Sequence, residues 1–110
     1  MKMNLIENTI ELYRNSIETM KVKNADYSGK DHKFGLRNFE LSANLAKIKM
    51  SQGILVRIMD KITRISNLIE QDANVKDESI YDTISDAINY LAILYYAIQE
   101  ENKEEKQESS

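Results

Sequence analysis

Asp77-Glu78-Ser79-Ile80-Tyr81-Asp82-Thr83-Ile84-Ser85-Asp86-Ala87-Ile88-Asn89-Tyr90 has the periodicity of a helix. Ile80, Ile84, Ala87, Leu91, Leu94 and Ile98 define one apolar face, and Asp77 is placed to cap a helix over about residues 78–101. The same wheel gathers Glu78, Asp82, Asp86 and Asn89 within about 80° of one another at 100° per residue, nearly opposite that face. Acids at successive i, i+4 steps repel by roughly 0.2–0.5 kcal/mol per pair on an exposed helix. The stripe calls for counter-charge from a metal ion, from basic side chains, or from both. A plain solvated face is the alternative. The helix dipole favours Glu78 and Asp82 at the first turn, but its effect fades before Asp86.

Working outward, the helical pattern continues almost throughout, with no proline and three glycines in 110 residues. Arg57, Lys61 and Arg64 run at i, i+4, i+7 on the preceding segment, and Asp60, Arg64 and Asn67 run beside them. Ser51 is expected to cap a helix over about 51–71 whose core face is Ile54, Ile58, Ile62, Ile65 and Ile69. A short helix before it carries Phe39, Ala43, Ala46 and Met50, with Leu41, Leu45 and Ile48 alongside. Ile6, Ile10, Tyr13, Ile17 and Met20 mark the core face of a first helix over about 4–23. The fold expected is all-α: a small antiparallel helical bundle over 1–99, followed by a charged helix extension or disordered tail over 100–110. Tyr90, Ala92, Ile93, Tyr95, Tyr96 and Ala97 make the last helix apolar well beyond one face. That pattern predicts burial by another subunit, hence a homo-oligomer with this helix near its centre.

Composition narrows the function. Eighteen acids against fifteen bases give a net charge of −3, and the pI is near 5.2. General binding to duplex nucleic acid needs a basic surface, so it is not expected. Cysteine is absent, which excludes disulfides and thiolate chemistry and fits a reducing cytoplasm. No apolar run has the length to span a bilayer. The start, Met1-Lys2-Met3-Asn4-Leu5-Ile6-Glu7, is polar where a secretion signal is apolar.

Asn24 to Asn38 is expected as the one long polar loop, and it mixes bases and aromatics around Gly29 and Gly35. With its flanks it supplies Lys21, Lys23, Asp26, Tyr27, Lys30, His32, Lys33, Phe34 and Arg37. Lysine, arginine and backbone N–H groups bind phosphate, and an aromatic ring stacks on a base. Phe39 is better placed as a core plug. Antiparallel packing would bring Arg57, Lys61 and Arg64 near Glu78, Asp82 and Asp86, and those acids suit magnesium, which takes carboxylate oxygens together with water and phosphate. A salt-bridge network between helices is the competing reading. No Ser-His-Asp, Cys-His or Walker arrangement can be assembled.

Three ordered motifs resemble a known family. They are Lys23-Asn24-Ala25-Asp26-Tyr27-Ser28-Gly29, Arg57-Ile58-Met59-Asp60-Lys61-Ile62-Thr63-Arg64, and the Asp77–Tyr90 stretch. Together they look like the phage and bacterial "nucleotide modification associated" small-domain family, over roughly residues 20–98. A serine here separates Tyr27 from Gly29. The resemblance implies an all-helical domain linked by gene context to phage nucleotide metabolism, at work in a bacterial cytoplasm. A more distant likeness is to the all-α nucleoside triphosphate pyrophosphatases, which hold magnesium on two acidic motifs. Glu78, Asp82 and Asp86 stand in for the second. The Glu-x-x-Glu of the first is absent outside the tail, where Glu101 and Glu104 have that spacing.

The sequence therefore points to a nucleotide-binding helical oligomer. Glu78, Asp82 and Asp86 are the candidates for Mg2+. Lys23, Asp26, Tyr27, Lys33, Arg37, Arg57, Lys61, Arg64 and Asn89 are the candidates for nucleotide and phosphate. Were it an enzyme, the reaction would be metal-assisted attack of water on a phosphoanhydride. The alternatives are a non-catalytic sponge for cyclic nucleotide signals of host defence, and a helical interaction module held by salt bridges.

Overall fold

The structure is a computed structural model. It describes residues 2–28, 36–71 and 73–109, apart from the side chains of 24–28, 73–79 and 107–109. Among the described residues there are four helices: α1 (Leu5–Ser28), α2 (Arg37–Ala46), α3 (Met50–Ile69) and α4 (Ala73–Ser109). No strand occurs among the described residues. The fold is the small all-α antiparallel bundle that the periodicity implies. α4 is the spine. Lys61 and Arg64 of α3 meet Asp86 and Thr83 of α4, while Ser51 meets Glu101. Rising numbers on α3 thus match falling numbers on α4. Ser16 and Lys23 of α1 meet Asn89 and Asp86 in the same antiparallel sense.

Local chemistry sets the ends. The Glu7 N–H donates to Asn4 Oδ1 at 2.8 Å, and the Asn4 N–H reaches Glu7 Oε2 at 3.4 Å, a capping box that starts α1. α2 stops at Lys47, whose φ of 59° is left-handed. The N–H of Ile48 then closes on Ala43 O at 3.0 Å. Three boundaries differ from the sequence reading. α1 runs on to Ser28, so Asp26 and Tyr27 belong to a helix rather than to the loop. Ser51 does not cap α3; Lys49 precedes the helix, and its N–H donates to Gln52 Oε1 at 2.9 Å. α4 begins at Ala73, which puts Asp77 inside it, and extends as helix to Ser109.

The core joins Leu36, Phe39, Ile54, Ile58, Ile93 and Ala97, with Met20, Met50, Tyr90, Leu94 and Tyr96 packed against it. Each fully buried aliphatic side chain contributes about 1.5–3 kcal/mol. Ile54, at 0% exposure, is its most enclosed large residue. Ile54 and Ile58 sit where the period places them, but Ile62 and Ile69 are exposed, and Leu68 is buried instead. On α4, Ile93 and Ala97 are core, whereas Leu91 and Ile98 are exposed.

The largest correction concerns α1. Its apolar stripe of Ile6, Ile10, Tyr13 and Ile17 faces outward, each residue about half exposed or more. The face turned to α4 carries Leu12, Ser16, Thr19 and Met20, and Ser16 is buried. Ser16 Oγ donates to Leu12 O at 2.8 Å and shares a 2.7 Å hydrogen bond with Ser85 Oγ. Small hydroxyl side chains let α1 lie close on α4, and among the described residues no buried side-chain nitrogen or oxygen lacks a hydrogen-bond partner.

Candidate functional site

α3 buries Ile54, Ile58 and Leu68. The residues between them in the helical turn then project along the flank of the bundle. Arg57, Asp60, Lys61, Thr63, Arg64 and Asn67 line one shallow cavity of about 380 Å3 there. Three cations against one carboxylate make it an anion-attracting surface. The basic groups are also held in place. Lys61 Nζ stands 5.8 Å from the centroid of the Tyr90 ring, within range of a cation–π attraction. Arg64 Nε donates to the buried Thr83 hydroxyl at 3.3 Å.

A second cavity, of about 260 Å3, lies in the groove between α1 and α4. Thr19, Lys23, Asp82, Ser85 and Asp86 line it. Asp86 is the hinge between the two cavities. Its Oδ1 lies 3.2 Å from Lys23 Nζ of α1, and its Oδ2 lies 3.6 Å from Lys61 Nζ of α3. One carboxylate thus draws three helices together. The counter-charge for Asp86 comes from lysines, one of them on α1, and not from the guanidinium groups of Arg57 and Arg64. Asp82 is exposed one turn away, and among the described residues no cation pairs with it.

Asn89 has a different setting from the two aspartates. It is buried at 8% exposure, and its Nδ2 donates to Ser16 O at 2.9 Å. The stripe therefore does not lie opposite the core. Its C-terminal end points into the α1 contact, because α1 covers a flank of α4 that the wheel left to solvent. Asn89 sits under the groove and ties α1 to the same helix that carries Asp82 and Asp86.

The structure brings Lys23, Arg57, Lys61, Arg64, Asp82 and Asp86 into this double cavity. Arg37 lies exposed at the start of α2. Lys33 and the side chains of Asp26, Tyr27 and Glu78 lie outside the described residues. Among the described residues, no group of three or more His, Cys, Asp or Glu side chains converges. Sequence reasoning overlooked Ser16, Thr19, Thr83, Ser85 and Tyr90 as parts of this region. The signal was present: Leu12, Ser16, Thr19 and Lys23 run at i, i+4, i+7, i+11 on α1, a second helical stripe beside the apolar one. No helix among the described residues is long and apolar enough to cross a membrane. No family model, curated protein or solved structure matches the chain.

Proposed function

We propose that the chain binds a nucleotide, with its phosphates on the α3 flank against Arg57, Lys61 and Arg64. The observation that carries this reading is the shared cavity of those three cations, coupled through Lys61 to Asp86. Phosphate oxygens suit both arginine forks and a lysine point charge. Lys23 adds a fourth cation across Asp86. The groups fit magnesium as a companion of the phosphates rather than as a resident ion. Asp82 and Asp86 offer two carboxylates on successive turns, and Mg2+ completes such a set with water and phosphate oxygens. Asp86 already faces two ammonium groups, which supports binding over metal-driven hydrolysis. The same pairing favours the second reading, a sponge that holds a cyclic nucleotide and returns it intact.

Thermal melting with nucleoside triphosphates and cyclic nucleotides, with and without Mg2+, tests the proposal. A ligand at about 100 times its Kd adds roughly 2.7 kcal/mol, a rise in Tm of roughly 10 °C for a domain of this size. That rise should vanish in Arg57→Ala/Arg64→Ala. If no nucleotide shifts the wild type, the interaction-module reading takes its place. Recovery of intact ligand after heat denaturation separates the sponge from an enzyme.

We further infer a second copy of this chain as the cover of the α1 stripe. The chain exposes 8690 Å2, against roughly 6,300 Å2 for a compact monomer of its mass. Its radius of gyration is 16.5 Å, against roughly 13 Å for a compact domain of this length. The charged end of α4 supplies part of the excess. Exposed apolar side chains such as Leu5, Ile6, Ile10 and Ile17 contribute to it as well, and they are the surface a second copy would cover.

A further inference from the structure

We infer that the apolar slot between α2 and α3 is the subsite for the nucleobase. The inference rests on the reading of Arg57, Lys61 and Arg64 as the phosphate site. The slot holds about 220 Å3 and is lined by Phe39, Ser42, Ala43, Ala46, Ile48, Gly53, Val56 and Arg57. Arg57 borders both this slot and the cationic cavity. Gly53, Arg57, Lys61 and Arg64 follow one another at i, i+4, i+8, i+11 on α3, so an apolar end leads directly into a basic one. A nucleotide has that same polarity, with a flat ring at one end and phosphates at the other. A typical ligand pocket holds roughly 300–1,000 Å3 and combines an apolar lining with a few convergent polar groups; the slot, at about 220 Å3, is too small alone, and the cationic cavity, at about 380 Å3, lacks the apolar lining. Joined at Arg57, the two meet that description.

The walls suit a planar ring. Phe39 and Ala43 form a buried floor. Phe39 is fixed edge-on against Tyr90, with centroids 6.1 Å apart and planes at 84°. Tyr90 also stands beneath Lys61, so one ring supports both ends of the site. The Arg57 guanidinium is planar and stacks on aromatic faces. Gly53 supplies an independent argument. Its backbone is ordinary helix, and a Cβ built there would meet only Ile48 Cδ1, at 3.7 Å, an ordinary contact. Neither conformation nor packing requires glycine, which weakens a helix relative to alanine. An open slot does require the absence of a large side chain there.

The test is titration calorimetry of the full chain with inorganic tripolyphosphate and with the triphosphates of adenosine, guanosine, cytidine and uridine. Wild type should bind at least one nucleoside triphosphate tenfold or more tighter than tripolyphosphate. Gly53→Met should erase that preference and leave tripolyphosphate affinity within twofold. Gly53→Ala, which fits the backbone without displacing a neighbour, should reduce the preference by a smaller factor while retaining the fold. Equal binding of all five probes by wild type would overturn the base subsite and leave the phosphate reading standing. So would an undiminished preference in folded Gly53→Met. Failure of all five to bind would overturn both.

Discussion

The Glu101 carboxylate accepts two hydrogen bonds from Ser51, from its backbone N–H at 2.9 Å and from its hydroxyl at 2.8 Å. The distal part of α4 thereby satisfies an N-terminal donor of α3 that the helix itself leaves open. It also places a negative charge at the positive end of the α3 dipole. Glu101→Ala should cost about 1–2 kcal/mol, as for loss of a helix cap or a charge-assisted bond. Urea denaturation measures it. Ser51→Ala should cost less, because it removes only the hydroxyl bond. The two losses should fall short of additive in the double variant.

The pairing of Asp86 with Lys23 and Lys61 makes a separate prediction. The side chains are 26%, 44% and 29% exposed, so water screens them, and Asp86→Asn should cost no more than about 1 kcal/mol. That loss should shrink as salt is raised. Removal of the exposed Lys21–Glu18 pair should change stability by less than about 0.5 kcal/mol. In metal-free buffer, Asp86→Asn should tighten tripolyphosphate binding, since two ammonium groups lose their internal counter-charge. Weakened binding there would show that Asp86 serves the ligand in some other way than by neutralising the lysines.

How far the sequence could be read depended on what its periodicity reports. Ile54 and Ile58 were legible because α2 and α4 both press on the face they mark. Arg57, Lys61 and Arg64 were legible because a long helix keeps i, i+4, i+7 neighbours together wherever it packs. An apolar stripe shows that something covers it, not what does. The Ile6, Ile10, Tyr13, Ile17 stripe therefore reads as internal core, while α1 packs through Ser16. Asn89 grouped with acids on the wheel, yet it answers a backbone carbonyl across the α1 contact. No spacing along one helix records such a partner 73 residues away.

Lys47 is the one non-glycine residue with positive φ among the described residues. A side chain in that conformation carries a steric cost that glycine avoids, offset in part by the greater freedom of an unfolded glycine. Lys47→Gly should raise stability by roughly 0.5–1 kcal/mol, measured by chemical denaturation. Lys47→Val should lower it, because a branched Cβ is the least tolerant of this geometry.

Tyr96 gives the pH dependence. Burial raises its phenol above the ordinary value of 10.0, and the nearby Glu100 carboxylate raises it further against an opposing effect of Lys103. The folded state therefore holds this proton more tightly than the unfolded chain. Its contribution is complete below pH 10 and is lost as pH rises through the folded value. Between pH 9 and the onset of alkaline unfolding, wild type should lose stability faster than Tyr96→Phe. In absorbance titration, Tyr96 should be a late-ionising member of the six tyrosines.

The outward face of α1 yields the last prediction. Ile10 and Ile17 are 49% and 53% exposed on a stripe continuous with Ile6 and Tyr13. Neither belongs to the buried core, so Ile10→Glu/Ile17→Glu should leave helical content and the thermal transition of the isolated subunit intact. If a second copy covers the stripe, wild type should sediment as an oligomer and the double variant as a single 12.8 kDa chain. Two buried charges per subunit would cost an interface far more than two exposed ones cost a monomer. The pair Leu41→Glu/Leu45→Glu is the control, since both leucines are exposed apolar residues on a different helix, α2. A monomeric wild type at tens of micromolar, or an oligomer that survives Ile10→Glu/Ile17→Glu, would exclude α1 as the contact. If the oligomer survives, Leu91, Tyr95 and Ile98 on α4 become the next surface to charge.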